Sequence, residues 1–536
     1  MLKKKITSFI LIILIFSTLY TGCGSGQKNT SMDTGDQRST PSSSAVAPQD
    51  QNMLTYSESL TGADNGTAVA QEDFNTEEYG KVVERGFVSP LSEPLSTFSI
   101  DVDTASYANM RRFVMSGQEV PADAVRIEEM INYFSYNYAE PQGDMPFSVY
   151  TEISSCPWNK DNQLLLIGLK GKEIEVESIP PSNLVFLIDI SGSMMDADKL
   201  PLVKEAFLKL VENLRPEDRI SIVTYAGNDS VVIKGVSGEE KLKISKAIES
   251  LEAGGSTAGA KGIETAYEIA MKNFIKKGNN RVILATDGDF NVGTSSEGEL
   301  KRLIEKKRNQ GVYLSVLGFG TGNIKDNKME TLADYGNGNY AYIDSQLEAK
   351  KVLVEEMGGT LLTIAKDVKL QVEFNPEKVK GYRLVGYENR MLNAEDFADD
   401  TKDAGEMGAG HRVTALYELI PVGSEQSVDE SDLKYQKTES TGSGDWLTLH
   451  VRYKKPEEDT STLSSYVVDS TREQKIMSED FAFASGVAEF GLLLRNSEYK
   501  GQASFENVYG RIVGLPSIKG DGYKTEFIEI VSKMMK

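Results

Sequence analysis

Between residues 183 and 362 the chain alternates short apolar runs with amphipathic stretches. The run Leu184-Val185-Phe186-Leu187-Ile188 is continuously apolar, which is typical of a strand buried on both faces. We expect further strands at 220–225, 231–233, 282–286, 312–317 and 340–343. We expect helices at 200–214, 240–251, 260–274, 297–310 and 328–335, and a last one from residue 346. Strands that alternate with helices predict an α/β fold, a doubly wound, mostly parallel sheet of Rossmann-like type.

Shorter apolar runs lie on both sides of this segment. Runs at 98–102, 147–153 and 164–169 precede it, and runs at 368–374, 382–386, 413–419 and 446–453 follow it. They predict strands, and we expect the later runs to pair with those at 147–153 and 164–169 as antiparallel strands. The central domain would then be inserted into an α+β region built on a β-sandwich. Helical patterns at 104–114 and 122–134 come before it, and patterns at 480–495, 505–513 and 525–535 predict a C-terminal helical cap.

The N-terminus has the pattern of an exported protein. Lys3, Lys4 and Lys5 precede an apolar run that is shorter than the roughly 20 residues needed to span a bilayer. The run ends at Leu19-Tyr20-Thr21-Gly22-Cys23, which resembles a bacterial lipobox with Tyr20 where leucine is usual. This resemblance implies lipid on Cys23. The alternatives are an ordinary secretory signal or an uncleaved anchor.

Composition divides the rest of the chain. Small polar residues dominate from Gly24 to about Ala70, and such a segment buries too little apolar surface to fold. The predicted divisions are a signal peptide at 1–22, a flexible tether at 23–70, an N-terminal flanking region at 71–180, the central domain at 181–363 and a C-terminal flanking region at 364–536.

Charge and residue usage exclude several classes of function. The 58 Lys and Arg against 80 Asp and Glu give a formal net charge of −22, which repels nucleic acid phosphates. Two cysteines cannot form a disulfide framework, and two histidines exclude any site that needs three imidazoles. The chain has no HExxH, P-loop or GxSxG motif. We therefore expect a protein that is not an enzyme.

Oxygen-bearing side chains follow the predicted strands of the central domain. Asp189, Ser191 and Ser193 come directly after the first strand, Thr257 opens a helix, and Asp287 follows the strand at 282–286. The carboxyl ends of parallel strands meet at one edge of the sheet, where ligands bind. A set of oxygen ligands without His or Cys suits a hard cation rather than Zn²⁺. Mg²⁺ is the expected ion, and Mn²⁺ and Ca²⁺ are the alternatives.

The D-x-S-x-S pattern from Asp189 to Ser193, together with Thr257 and Asp287, resembles the metal-ion-dependent adhesion site of von Willebrand factor type A domains. This resemblance implies that Ser191, Ser193 and, in the ligand-bound form, Thr257 coordinate the metal directly. It implies that Asp189 and Asp287 act largely through bound water. It also implies that a vacant coordination position takes a carboxylate from a protein partner.

Neighbouring residues leave alternatives open. Ser256 can take the role of Thr257, and Asp289 is expected to lie outside the metal ligands or in solvent. Asp196 and Asp198 are expected to cap the helix that begins near residue 200, and a second cation site is the alternative.

Other chemically capable residues are expected to be structural. Asp101 and Asp103 are expected to cap a helix, with a metal loop as the alternative. His411 and His450 lack a neighbouring nucleophile, and Cys156 is expected to be a buried thiol. An acidic cluster comprises Asp399, Asp400, Asp403 and Glu406. Because it lacks EF-hand spacing, we favour a solvated loop, with a calcium loop as the alternative.

The flanking regions carry a second resemblance. The stretches 99–107, 156–159, 381–390 and 403–411 are similar to the flanks of bacterial secreted von Willebrand type A proteins of the YfbK group. That group implies an architecture and an extracytoplasmic location, but no biochemical activity. We therefore expect a lipid-anchored protein on the extracytoplasmic face of the cell membrane that binds an Asp or Glu of a protein partner through a metal ion. The alternatives are a metal-independent envelope scaffold or assembly factor and, third, an envelope hydrolase.

Overall fold

The computed structural model describes residues 76–175, 178–226, 228–255, 259–288, 290, 297–356, 362–428 and 442–536. The predicted signal peptide and tether, including Cys23, lie outside these residues, as do Ser256, Thr257 and Asp289. In the part of the chain that is described, no helix combines the length and the apolar character needed to cross a membrane.

Strands and helices alternate along the middle of the chain. The strands are β1 (Leu95–Ser99), β2 (Phe147–Ser155), β3 (Gln163–Gly171), β4 (Ser182–Asp189), β5 (Arg219–Ala226), β6 (Asn228–Ser237), β7 (Asn279–Thr286), β8 (Val312–Phe319), β9 (Tyr340–Ile343), β10 (Thr363–Phe374), β11 (Val379–Leu384), β12 (Met391–Leu392), β13 (Gly405–Gly408), β14 (Arg412–Pro421), β15 (Leu447–Lys454) and β16 (Thr462–Val468). The helices are α1 (Ala105–Met115), α2 (Ile127–Asn132), α3 (Leu200–Glu212), α4 (Lys241–Glu249), α5 (Gly259–Lys272), α6 (Glu297–Arg308), α7 (Asp326–Tyr335), α8 (Gln346–Lys350), α9 (Glu479–Leu494), α10 (Phe505–Ile512) and α11 (Gly522–Met534).

The central sheet is mostly parallel, as the sequence predicts. Its strand order is β6-β5-β4-β7-β8-β9, and only the β5–β6 pair is antiparallel. Alternate side chains of β4 enter two separate cores. Phe186 stacks on Phe207 of α3 with ring centroids 4.3 Å apart, whereas Leu187 packs with Ile263 of α5 on the other face. Burial on both faces explains why β4 is apolar throughout.

Two antiparallel sheets form the flanking regions. The second sheet has the order β11-β14-β3-β2, and the third has the order β12-β1-β10-β15-β16, with β13 also paired to β10. Strand β14 follows the central domain yet pairs with β3, which precedes it, and β10 pairs with β1 in the same way. The β14–β3 pair confirms the predicted pairing across the central domain, whereas the sequence does not predict the β10–β1 pair. The two sheets share one apolar core, to which Phe98, Ile167, Leu370 and Leu449 belong.

The C-terminal helices pack on the N-terminal flanking region. Phe483 of α9 and Phe527 of α11 meet Phe134, with ring centroids 4.9 and 5.4 Å away. Tyr107 of α1 also packs against Phe134, with ring centroids 5.0 Å apart. The predicted helical cap therefore completes a core that begins near residue 107.

The structure corrects the predicted helix at 122–134. A short 3₁₀ turn covers Ala122–Ala124, Val125 is extended, and α2 begins only at Ile127. The hydroxyl of Ser106 donates to the Ala124 carbonyl at 2.7 Å and accepts the Arg126 amide at 2.8 Å. These long-range bonds replace the intrahelical bonds that the local pattern predicts.

The predicted helix caps are also wrong. No side chain caps α1, and the Asp103 carboxylate instead accepts the Tyr340 amide at 2.8 Å and pairs with Arg390 at 3.3 Å. Likewise neither Asp196 nor Asp198 caps α3, whose first flanking residue is Lys199. Leaving a buried carboxylate such as Asp103 without a cation costs several kcal/mol, about 3–5 in measured cases. The ion pair with Arg390 therefore stabilises the fold more than a side-chain cap on α1 would.

Buried ion pairs join the central domain to both flanking regions, and we call them the junction pairs. The Arg126 guanidinium donates to Glu129 and, at 2.6 Å, to Asp326 of α7. Arg390 of the C-terminal flanking region pairs with Glu330 of α7 at 2.8 Å. Helix α7 is therefore held by arginines from both sides.

Candidate functional site

Two loops of the predicted metal site meet at the carboxyl edge of the central sheet. Strand β4 ends at Asp189, and Asp287 directly follows β7. The two strands are adjacent and parallel, with Ile188 opposite Ala285. The structure thus brings Asp189, Ser191, Ser193 and Asp287 to one edge, whereas Thr257 lies outside the described residues.

Hydrogen bonds fix the loop after β4. The Ser191 amide donates to Asp189 Oδ1 at 2.8 Å, and the Ser191 and Ser193 hydroxyl oxygens lie 3.0 Å apart. The loop is also tied to the segment that precedes Thr257, because the Gly192 amide donates to the Gly255 carbonyl at 3.1 Å. The serine hydroxyls are therefore held together beside the Asp189 carboxylate.

Both carboxylates are buried. Asp189 and Asp287 are 0% and 1% exposed. Asp189 Oδ2 and Asp287 Oδ1 have no hydrogen-bond partner among the described residues, although the Tyr225 hydroxyl lies beside Asp189. Burial and the charge of Asp287 raise the pKa of Asp189 to about 6, although the hydrogen bonds from Ser191 and the neighbouring Tyr225 hydroxyl lower it.

The fit to a divalent cation follows from these atoms. A buried carboxylate oxygen without a donor is costly, and a bound cation removes that cost. The set comprises carboxylate and hydroxyl oxygens only, which are the ligands that Mg²⁺, Mn²⁺ and Ca²⁺ prefer. The residues present at this edge therefore fit the predicted ion.

One residue of the site has no signal in the sequence. The Lys199 ammonium lies 3.1 Å from Asp287 Oδ2, and the Lys199 side chain is 6% exposed. Lys199 stands just before α3, far along the chain from Asp287, so only the folded structure brings the two together.

Another group of buried acidic residues lies between the central domain and the flanking regions. Asp103, Glu129 and Glu330 bring carboxylate oxygens within 4.8 Å of one another. Each of them has an arginine partner, because Arg126 pairs with Glu129 and Arg390 pairs with the other two. These ion pairs favour a structural role for Asp103 over the metal-loop alternative.

The acidic residues at 399–406 in the C-terminal flanking region contact different neighbouring side chains. Asp400 accepts from Ser461 Oγ, Asp403 pairs with Arg308 at 2.7 Å, and Glu406 accepts from Thr363 Oγ1 at 2.6 Å. Asp399, Asp400 and Asp403 lie in the turns and loop before β13 with partly or fully exposed side chains, as the solvated-loop interpretation predicts, whereas Glu406 lies in β13.

The predicted structural residues lie away from the carboxyl edge. Cys156 is 1% exposed, and burial raises the pKa of its thiol, so the prediction of a buried thiol is confirmed. His450 Nδ1 lies 2.8 Å from Ser465 Oγ on the third sheet. His411 lines a cavity of about 620 Å³ between the flanking regions and the central domain, and burial lowers its pKa.

The Gly288→Ala variant is expected to be less stable by about 1–3 kcal/mol or more, because alanine is strained at the Gly288 φ of +108°. An added Cβ would also lie 2.3 Å from the Asn323 carbonyl oxygen. Urea unfolding measures the loss. Gly510→Ala is the matched control, because Gly510 lies in α10 with no atom near an added Cβ. An equal effect of both variants would contradict this reading of the loop.

Comparisons with known proteins agree with this architecture. Three family profiles match: von Willebrand factor at residues 73–166, von Willebrand factor type A domain at 183–356, and the C-terminal region of the uncharacterized protein YfbK at 359–536. Among solved structures, a von Willebrand factor type A protein from Catenulispora acidiphila is similar at 16% identity and a TM-score of 0.40. That match covers 74% of this chain and 91% of the other.

Two relatives show how far the sequence similarity extends. Human inter-alpha-trypsin inhibitor heavy chain H3 is 29% identical over 196 residues, which are 34% of this chain and 22% of that protein. The uncharacterized protein YfbK of Escherichia coli (strain K12) is 43% identical over 449 residues, which are 82% of this chain and 77% of that protein. The chain therefore belongs to the YfbK family, with a von Willebrand factor type A domain between its two flanking regions.

Proposed function

We propose that this protein is a cell-envelope binding module that uses a divalent cation at Asp189, Ser191, Ser193 and Asp287 to bind a carboxylate of a protein partner. The observation that carries the proposal is the pair of buried carboxylates beside two clustered serine hydroxyls; within the described part of the chain, one oxygen of each carboxylate has no hydrogen-bond partner. Type A domains are typically protein-interaction or adhesion modules, which supports a binding role rather than catalysis.

The residues of the site have different roles in holding the metal ion. Ser191 and Ser193 offer hydroxyl oxygens as ligands, and the Ser191 amide holds Asp189 in place. Thr257 is expected to add a third hydroxyl. A bound Mg²⁺, or Mn²⁺ or Ca²⁺ in its place, supplies a positive charge with a coordination position open to an outside oxygen.

The surface around the site admits a partner. Met195 follows the serine loop and is 68% exposed, and Gly192 is exposed at its tip. A partner that places an Asp or Glu at the site would cover Met195 as well. We propose that lipid on Cys23 and the tether at 23–70 present this surface on the extracytoplasmic face of the membrane.

Metal-dependent capture tests this function. The full-length protein, immobilised and mixed with detergent-solubilised envelope of the source bacterium, is expected to retain a partner in Mg²⁺ and release it in EDTA. Asp189→Ala is expected to reduce retention at least tenfold, because it removes one buried carboxylate of the site. Asp196→Ala is the control, since its side chain is 74% exposed near the same loop.

The same capture experiment distinguishes the alternative functions. Retention that neither EDTA nor Asp189→Ala changes would contradict the metal-bridged contact and favour the envelope scaffold. Turnover of wall polymer or peptide by the wild-type protein would favour the hydrolase instead.

A further inference from the structure

A lysine ammonium lies inside the candidate metal site. Lys199 Nζ is 3.1 Å from Asp287 Oδ2, and the two side chains are 6% and 0% exposed. Asp196 also lies near the ammonium, at 3.9 Å, but that side chain is 74% exposed. Within the buried part of the site, Lys199 therefore pairs with Asp287.

The fold holds this lysine in place. Its aliphatic stem packs against Gly320, where an added Cβ would lie 2.3 Å from Lys199 Cγ. Gly320 has a φ of +75°, a conformation that glycine adopts readily, so the loop after β8 leaves room for the stem. Packing of the stem against Gly320 therefore helps to direct the ammonium to Asp287.

The charge of the site depends on this residue. Asp189 and Asp287 carry two negative charges when ionised, and Lys199 reduces the total to one. A divalent cation then makes the site net positive by one charge, whereas the same site without the lysine would be neutral. A positive charge nearby repels the cation and attracts an incoming carboxylate.

We propose that Lys199 sets the charge of the metal site: its ammonium balances Asp287, weakens binding of the divalent cation, and leaves the loaded site net positive toward a partner's carboxylate. This inference rests on the proposed function, because it needs the metal at Asp189 and Asp287. It assigns Lys199 a role in binding, where a purely structural ion pair would only stabilise the fold.

Mn²⁺ titration by calorimetry tests the first half of this proposal. The full-length protein in detergent is compared with Lys199→Met, which keeps the stem, and Lys199→Gln, which keeps a donor for Asp287 but no charge. Both variants are expected to bind Mn²⁺ at least about tenfold more tightly, because one nearby like charge is gone. The two variants together separate loss of charge from loss of the hydrogen bond, and Lys199→Gln serves if Lys199→Met does not fold.

Lys241→Met is the matched control. It removes one positive charge at the start of α4, shortly after β6 ends. The end of β6 pairs with Arg219, the first residue of β5, and so lies at the amino edge of that strand. Lys241 therefore lies at the opposite edge of the central sheet. Its substitution is expected to leave the Mn²⁺ affinity unchanged.

Acetate tests the second half. Acetate is expected to displace water from protein-bound Mn²⁺, read as proton relaxation, and to bind at least about tenfold more weakly in both Lys199 variants. Opposite shifts for Mn²⁺ and acetate support the proposal. Unchanged or weaker Mn²⁺ binding in the folded variants would overturn it while leaving the metal site intact. Failure of every protein to bind Mn²⁺ would overturn both this inference and the metal-dependent function.

Discussion

The Arg126→Met variant is expected to lose about 3–5 kcal/mol of unfolding free energy, because it leaves buried carboxylates without a cation. The Arg126 guanidinium bonds to both Glu129 and Asp326, and all three side chains are at most 3% exposed. Methionine fills much of the space of arginine but supplies neither charge nor donors. Asp326 begins α7 of the central domain, so the loss also weakens the junction to the N-terminal flanking region.

Urea unfolding followed by tryptophan fluorescence measures this loss. Arg472→Met removes the same group from an exposed turn and is the control, expected to change the free energy by less than about 0.5 kcal/mol. A loss below about 1 kcal/mol in Arg126→Met would show that the junction pairs contribute little beyond their own desolvation cost.

Mg²⁺ is expected to stabilise the wild-type protein by about 2.7 kcal/mol at a concentration one hundred times its Kd, because it binds only the folded site. Asp189→Ala is expected to lose nearly all of this stabilisation. It removes one buried carboxylate of the site and leaves the Lys199–Asp287 pair intact.

Thermal unfolding in Mg²⁺ and in EDTA measures the difference. Asp196→Ala is the control and is expected to respond to Mg²⁺ as the wild type does, since its carboxylate is exposed. An equal Mg²⁺ response of Asp189→Ala and wild type would place the ion elsewhere on the protein.

The sequence predicts the central sheet well because its signals are local. The apolar run of β4 and the amphipathic face of α3 each fit within a short window, and each is a buried element in the structure. Because the carboxyl ends of parallel strands meet at one edge of the sheet, the sequence alone predicts that Asp189 and Asp287 lie close together. The same reasoning predicts that strands on both sides of the domain pair, but it gives no register, such as Leu166 opposite Leu416.

Long-range contacts explain the wrong predictions. The helix expected at 122–134 is interrupted because Ser106, on another element, bonds to Ala124 and Arg126. Asp103 pairs with Arg390 instead of capping α1, and the local sequence around neither residue predicts that contact. Lys199 reaches Asp287 from a different loop, so the residue that balances the site could be found only in the folded protein.

Titration of Mn²⁺ into the full-length protein, followed by electron paramagnetic resonance of the free ion, tests the central claim most directly. The account predicts one saturable site per chain in the wild type, and at least about tenfold weaker binding in a Ser191→Ala/Ser193→Ala variant, which keeps every charge but lacks both hydroxyl ligands. Absence of saturable binding in the wild type, or equal affinity in the two proteins, would contradict the claim that these serines and aspartates form a metal site.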